Sequence, residues 1–190
     1  IDLDTDYSLI IHLGMSGSLR RARKENLTKH DHSDICFEDG TILRYCDPRR
    51  FGCFLWSKDI ETHFLLKNLG PEPLGNSFSG DYLFYKSRKR KVPIKNFIMN
   101  SKVVVGVGNI YASEALFAAG IRPSCMAGKV PRKKYDLLAK EIVHILRKSI
   151  EEGGTTLRDF VSGDSKPGYF KQSLRVYGRE GEECLSLIHI

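Results

Sequence analysis

Long apolar runs are missing from this 190-residue chain. The longest pieces, such as Ser8–Leu13, fall far short of the ~20 residues that a membrane-crossing helix needs, so no membrane partner is expected. The opening residues IDLDTDYS are acidic, where a secretory leader would be basic and then apolar, so a leader is not expected either. Paired C-x-x-C spacing is missing as well. The five cysteines, Cys36, Cys46, Cys53, Cys125 and Cys184, are scattered, and an odd count without a framework points to reduced thiols in a cytosolic setting. Internal repeats and low-complexity tracts are absent. Acidic side chains are outnumbered, 23 against 30 lysines and arginines, and the net charge of +7 biases the chain toward polyanions.

What is present divides into two halves. The first reads as β-structure. Tyr7–Leu13 is rich in β-formers, Asp34–Glu38 and Thr41–Cys46 flank the hairpin signal Asp39-Gly40, and Cys53–Trp56 follows the tight segment Asp47–Gly52. Ile60–Leu69 reads as helical. Leu69–Gly75, with two prolines and two glycines, can continue neither helix nor central strand and reads as a linker. Beyond it the pattern turns helical. A helix is expected from Tyr82 with Asp81 as its cap, and another from Asn109 to Ala119, stopped by Gly120 and Pro123. The longest opens near Pro131, carries Tyr135, Leu138, Ala139, Ile142, Ile145, Leu146 and Ile150 on its apolar face, and stops at Gly153-Gly154. Ser173–Tyr177 is strand-like.

Several stretches carry potential chemistry. In GVGNIYASEAL, Gly106 to Leu116, a glycine turn delivers Asn109 to a helix start, where free N–H groups and the dipole favour an anion. A dinucleotide fingerprint would need a glycine where Tyr111 stands, and a phosphate loop would need Gly-Lys-Ser/Thr, so neither cofactor site is expected. Upstream, Lys86, Arg88, Lys89, Arg90, Lys91 and Lys95 form a basic run without an acid. Such a run is either a solvated face or a grip on consecutive phosphates. Arg20, Arg21, Arg23 and Lys24 add a second basic patch. Phe51 beside Arg49 and Arg50 reads either as a strand-end packing residue or as a wedge for a base stack. Met15, between Gly14 and Gly17, is a soft contact residue on a second loop.

HLGMSG, DPRRFG, LGPEPL, GVGNIYASEALFAAGIRPS, GGTTLRDF and VYGREGEEC occur in the order found in formamidopyrimidine-DNA glycosylases, and the chain resembles that family from about Tyr7 to Cys184. The resemblance implies an α+β fold: part of an antiparallel β-sandwich domain over residues 1–69, a linker at 70–80, a helix–two-turn–helix domain with a lesion-capping loop over 81–172, and the start of a zinc finger at 173–190. It implies removal of oxidised purines from duplex DNA by a bifunctional glycosylase and lyase, acting through an amino-terminal proline, with double-stranded DNA as the partner of a cytoplasmic monomer. The residues carried over are His30, Arg49, Arg90 or Lys91, Lys95, Asn109 and Tyr177 as DNA contacts. Met15, Arg49 and Phe51 would fill the gap left by an everted nucleotide, and Ser165, Lys166, Gly168 and Tyr169 would cap the lesion.

The family's proline, glutamate and catalytic lysine have no counterpart here, because the chain opens Ile1-Asp2-Leu3. Cys184 matches the first ligand of the family's structural Zn2+ site, yet only Leu-Ser-Leu-Ile-His-Ile follows, and a tetrahedral site needs four N or S donors. The expectation is a fragment of a longer enzyme, inactive alone and without bound zinc. The alternatives are a DNA-binding module without catalysis and an endonuclease VIII-like glycosylase for oxidised pyrimidines.

Overall fold

The computed structural model describes residues 1–23, 27–154 and 173–185. The chain forms two compact units, one built on Ile1–Lys67 and the other on Asn68–Glu151 together with the described tail residues. Both strands and helices are present, so the fold is α+β.

The first unit holds five antiparallel strands: β1 (Ser8–His12), β2 (Ser18–Ala22), β3 (Asp31–Cys36), β4 (Ile42–Cys46) and β5 (Cys53–Ser57). β1 pairs with β5 in one sheet, and β2, β4 and β3 form a second with β4 in the middle. The basic stretch after β1 is thus a strand, although Leu-Arg-Arg-Ala carries few β-formers. Arg20 faces Arg44 across the sheet, a like-charge pairing that would be unfavourable by itself. β3 resolves it: Asp31 binds Arg20 at 2.7 and 2.9 Å, and Asp34 binds Arg44 through Nε and a terminal nitrogen, each at 2.7 Å. β3 therefore begins at Asp31, three residues before the predicted start. Arg44 is completely buried, and its bidentate partner is what makes that burial tolerable.

The predicted hairpin is present with a three-residue loop. Phe37 N–H bonds Thr41 C=O at 2.9 Å, Gly40 N–H bonds Phe37 C=O at 3.0 Å, and Gly40 has φ +80°. Only the third loop residue takes the left-handed conformation that glycine accepts without penalty.

Residues 60–69 make turns instead of the predicted helix. The Asp59 carboxylate takes the N–H groups of Glu61 and Thr62 and the Thr62 hydroxyl, so side-chain bonding competes with the helical ladder where it would have to start. Gly70-Pro71 then closes the segment. The predicted linker is bonded into the second unit: Gly70 N–H donates to Ser101 C=O at 2.7 Å, and Pro73 and Phe78 are buried. A Cβ on Gly70 would lie 2.4 Å from the Val103 backbone, so only glycine permits that approach.

The second unit holds α1 (Gly80–Ser87), α2 (Ile94–Ile98), α3 (Asn109–Ala118), a 3-10 turn at Ala127–Lys129 and α4 (Arg132–Glu151). Ser79, not Asp81, caps α1 by accepting Tyr82 N–H at 3.0 Å; Asp81 lies in the first turn and pairs with Arg132 at 2.7 Å. α2 was not predicted, being only five residues long. α3 ends in paired bonds, Ile121 N–H to Leu116 C=O and Gly120 N–H to Phe117 C=O, with Gly120 at φ +60°. α4 is the hub of the core. Tyr135, Leu138, Ala139, Ile142 and Ile145 are buried as predicted, but Leu146 is half-buried, Ile150 is exposed and Ser149 is buried in its place. The buried arc keeps its spacing to Ser149, whose hydroxyl meets Tyr111 OH at 2.7 Å. Residues 173–177 form turns, not a strand. The predicted capping loop at Ser162–Phe170 lies outside the described residues.

Asp31 generates a prediction. Burial pushes its carboxyl up, but hydrogen bonds from Arg20 and Thr28 outweigh burial and hold it at about 2. A depressed carboxylate adds stability above its unfolded value near ~4, and that stability is lost as the pH falls toward the folded value. Denaturant midpoints of the chain should fall between about pH 4 and pH 2. Asp31→Asn should be less stable at neutral pH and show a shallower fall across that window. An unchanged slope would contradict the pairing.

Candidate nucleic-acid interface

In the first unit, the nominated residues gather around one carboxylate. Asp47 is completely buried. Its side chain accepts Ser16 Oγ at 2.9 Å, Tyr45 OH at 2.9 Å, Gly52 N–H at 2.9 Å and Arg49 N–H at 3.3 Å. The bond from Gly52 N–H is the leading reason that the carboxyl sits far below the usual carboxylate range, with the tyrosine, serine and Arg49 bonds assisting against burial. Burial, and then the bond to Asp47, push the Tyr45 hydroxyl up to about 12. The Asp47 backbone extends the frame: its N–H bonds His30 C=O at 3.0 Å, and its C=O meets His32 Nε2 at 2.8 Å.

These bonds fix two loops against each other. Ser16 belongs to the loop that carries Met15; Arg49 and Gly52 bracket the turn that carries Phe51. The loops touch so closely that a Cβ on Gly14, at φ +65°, would lie 2.7 Å from the Phe51 backbone. Met15 is 72% exposed and Phe51 is 55% exposed, so both apolar side chains stand out in solvent above a rigid base. The Arg49 guanidinium lies 5.0 Å from the Phe51 ring centroid. Arg50 adopts φ +54° and makes no such contact among the described residues. Sequence reasoning named the presented residues and missed the carboxylate that holds them; an aspartate between a strand and a proline was its only signal.

In the second unit, Lys95, Asn109 and Tyr177 line one cavity of about 550 Å³, with Ser113, Phe117 and Glu180 among its walls. Lys95 comes from α2 and Asn109 from the first residue of α3. Gly108 caps that helix with no side-chain bond, and Gly106 turns into it at φ +75° with open space where a Cβ would stand. The first turn of α3 thus starts without a side-chain cap, at the exposed Asn109. Tyr177 is brought in by Glu114, a residue that sequence reasoning passed over. Glu114 is 3% exposed, and its carboxylate accepts the N–H groups of Arg175, Val176 and Tyr177 at 2.8 to 2.9 Å. α3 thus supplies Asn109 directly and Tyr177 through Glu114.

The basic run does not act as one surface. Arg88 turns inward, bonding Phe84 C=O, Ser87 Oγ and Val130 C=O and stacking 3.9 Å over the Phe84 ring. Lys91 is exposed, Arg90 is exposed on a different cavity wall, and Lys95 is half-buried. In the first unit's patch, Arg20 is committed to Asp31. Ser165, Lys166, Gly168 and Tyr169 lie outside the described residues. Cys184 is exposed, and among the described residues no group of three or more His, Cys, Asp or Glu side chains is gathered to hold a metal. The described residues do not make the tetrahedral zinc site of the resemblance. No helix among them is long and apolar enough to cross a membrane.

Comparison with known proteins follows the same division. Residues 1–54 match the formamidopyrimidine-DNA glycosylase N-terminal domain, and residues 69–161 match the formamidopyrimidine-DNA glycosylase H2TH domain. The formamidopyrimidine-DNA glycosylase of Cronobacter sakazakii is 58% identical over 180 residues, covering 94% of this chain and 67% of the relative. The crystal structure of the MutM (Fpg) protein from Thermus thermophilus superposes with a TM-score of 0.86 at 33% identity, covering 96% of this chain and 68% of that one. Wild-type Lactococcus lactis Fpg, solved in complex with DNA containing N7-benzyl-Fapy-dG, has a TM-score of 0.84 at 34% identity, covering 94% and 66%. The chain thus spans about two thirds of the length of the proteins it matches.

The Glu114 latch makes a prediction. Glu114→Ala should accelerate amide exchange at Arg175, Val176 and Tyr177 by roughly tenfold or more, since each lost bond is worth about 1 kcal/mol. Protection along α4 should stay. Unchanged exchange at those three amides would show that the latch does not hold the segment.

Proposed function

Because the chain belongs to the formamidopyrimidine-DNA glycosylase family, we propose that it forms the lesion-probing and backbone-gripping parts of an enzyme that excises oxidised purines from duplex DNA. The observation that carries the reading is the rigid presentation of Met15, Arg49 and Phe51 on the Asp47 frame. Apolar side chains are normally withdrawn from water, and two held out beside a guanidinium suit insertion into a base stack. Phe51 and Met15 prop the stack where a nucleotide has been everted, and Arg49 hydrogen-bonds the base left unpaired. Asn109 and the uncapped N–H groups of α3 hold phosphate oxygens, assisted by Lys95 and Tyr177, while His30 and Arg90 or Lys91 touch the backbone elsewhere. These contacts position the duplex without reading its sequence.

Cleavage of the glycosidic bond belongs to a proline-led amino terminus, which supplies a secondary amine for Schiff-base formation. The chain's own residues supply binding, insertion and orientation. In the whole enzyme Cys184 would be one ligand of a structural zinc, and the reaction would take place on the chromosome in the cytoplasm of a bacterial-type cell.

Borohydride trapping on a duplex containing 8-oxoguanine tests the catalytic part. The 190-residue chain should give no covalent adduct. The same chain flanked by the Cronobacter relative's amino- and carboxy-terminal segments should give one. If that composite fails where the relative itself traps, the enzyme reading is wrong for this chain. Asn109→Ala should weaken binding to damaged and undamaged duplex by the same factor, about tenfold for a lost phosphate contact worth about 1.4 kcal/mol, measured by fluorescence anisotropy. Equal affinity for the variant and the parent chain would remove Asn109 from the grip.

A further inference from the structure

A groove of about 630 Å³ runs along α4 beside the start of α1, apart from the cavity that holds Asn109. Phe78, which is buried, and Val143, which is half-buried, give it an apolar floor. Lys140, His144 and Arg147 line it as exposed side chains. They stand at i, i+4 and i+7 on one side of α4. From Lys140 to Arg147 the helix rises about 10 Å, at ~1.5 Å per residue.

The same side of α4 continues past the groove. Ile150 is 66% exposed, seven residues beyond Val143 and three beyond Arg147. Seven residues are close to two turns, so Ile150 extends the apolar strip that Val143 begins. The cations beside that strip are uncommitted. Among the described residues, the side chains of Lys140, His144 and Arg147 have no hydrogen-bond or ion-pair partner. Asp136, a carboxylate in the groove, lies at its other end. A Cβ on Gly80 would fall 2.3 Å from Asp136 Oδ1, so that carboxylate sits against the first turn of α1, whose dipole offsets its charge.

The groove is also turned away from α3. That helix meets α4 at Ser149, where the Tyr111 and Ser149 hydroxyls lie 2.7 Å apart. At 3.6 residues per turn, Lys140 is about 180° around α4 from Ser149.

We propose that this side of α4 docks an acidic amphipathic helix of a partner protein. Apolar side chains of that helix seat on Phe78, Val143 and Ile150, and its carboxylates, two turns apart, meet Lys140 and Arg147. Charge complementarity selects the occupant: a cationic border beside an apolar strip fits a segment that brings acids and apolar side chains together. A phosphodiester strand would satisfy the cations alone, would leave Val143 and Ile150 without a partner, and would meet Asp136 at the groove's end. The proposal goes beyond the DNA-binding reading and does not rest on it.

The test is fluorescence anisotropy of the full chain with a fluorescein-labelled helical peptide of about five turns, leucines on one face and glutamates bordering them. A peptide of the same composition, scrambled so that it has no apolar face, should bind about tenfold more weakly. The double variant Lys140→Glu, Arg147→Glu should weaken binding of the first peptide by about tenfold or more, because two attractive contacts become repulsive. A control, Lys102→Glu with Lys129→Glu, makes the same change of charge at exposed positions outside the groove and should weaken it by less than about twofold. Ile150→Ser should cost about fivefold, with far-ultraviolet circular dichroism unchanged because the side chain is already in water.

Equal losses in the two double variants overturn the proposal, since the effect is then net charge alone. Equal affinity for the two peptides, or unchanged affinity in Ile150→Ser, overturns the apolar seat and the proposal with it. Displacement of the peptide by a short undamaged duplex also overturns it and makes the groove a general polyanion site. The DNA-binding reading is judged separately, by duplex binding of Asn109→Ala.

Discussion

The buried Asp47 carboxylate is the interaction on which the arrangement of the first unit's two loops depends. A carboxylate without water is costly unless its oxygens are filled, and four donors fill these. The donors come from three places in the sequence: the Met15 loop, the end of β4 and the turn after it. One residue therefore closes two loops onto each other and ties His30 to them through its backbone. Tyr45 is essential to the frame, because its ring is buried against Phe54 at 4.9 Å while its hydroxyl meets Asp47. Gly52 completes it: a Cβ there would lie 1.8 Å from the Tyr45 hydroxyl oxygen. An aspartate, a tyrosine and a glycine thus specify one another, and the loops they join carry Met15 and Phe51 exposed at the surface.

The second unit solves a similar problem with a helix. α3 is buried along Ala112, Ala115 and Leu116, so its N-terminus is fixed in the core and still open at Asn109. Glu114 faces the tail instead of the apolar core and uses its charge to collect three backbone N–H groups. Both units tie irregular backbone to a buried carboxylate, Asp47 in the first and Glu114 in the second. The charge is satisfied by local donors and orders irregular backbone that no regular ladder would hold.

Much of this was legible in the sequence where a single period dominates. α4 was read from its apolar spacing because Tyr135 to Ile145 all face one side, and α3 from its glycines at both ends. The antiparallel class followed from short β-rich runs and Asp39-Gly40. The failures share a cause: bonds made by side chains overrode local preference. β2 is a strand because β3 supplies Asp31 and Asp34 to arginines that would otherwise oppose each other. Residues 60–69 are not a helix because Asp59 takes the N–H groups that would begin one. The tail at 173–177 is not a strand because Glu114, about sixty residues away, holds its backbone. No local pattern reports a donor's distant acceptor. The family motifs drew attention to Met15, Arg49, Phe51 and Asn109, but not to Asp47, which holds the first two loops together, or to Glu114, which holds the tail.

The same reasoning explains why a run of positive charge is a poor unit of description. Lys86 to Lys95 reads as one basic patch, yet α1, the following loop and α2 send its members in different directions. Arg88 closes the end of α1 from inside, bonding a carbonyl of its own helix and one that lies just before α4. Lys95 looks toward α3, and Lys86 and Arg90 look toward Lys102. A cation that already holds a carbonyl or carboxylate has little left for a phosphate, since its new bond must replace one already made. The capacity of a basic protein to hold a polyanion therefore depends on how many cations the fold leaves unspent, and on whether it leaves them facing one another.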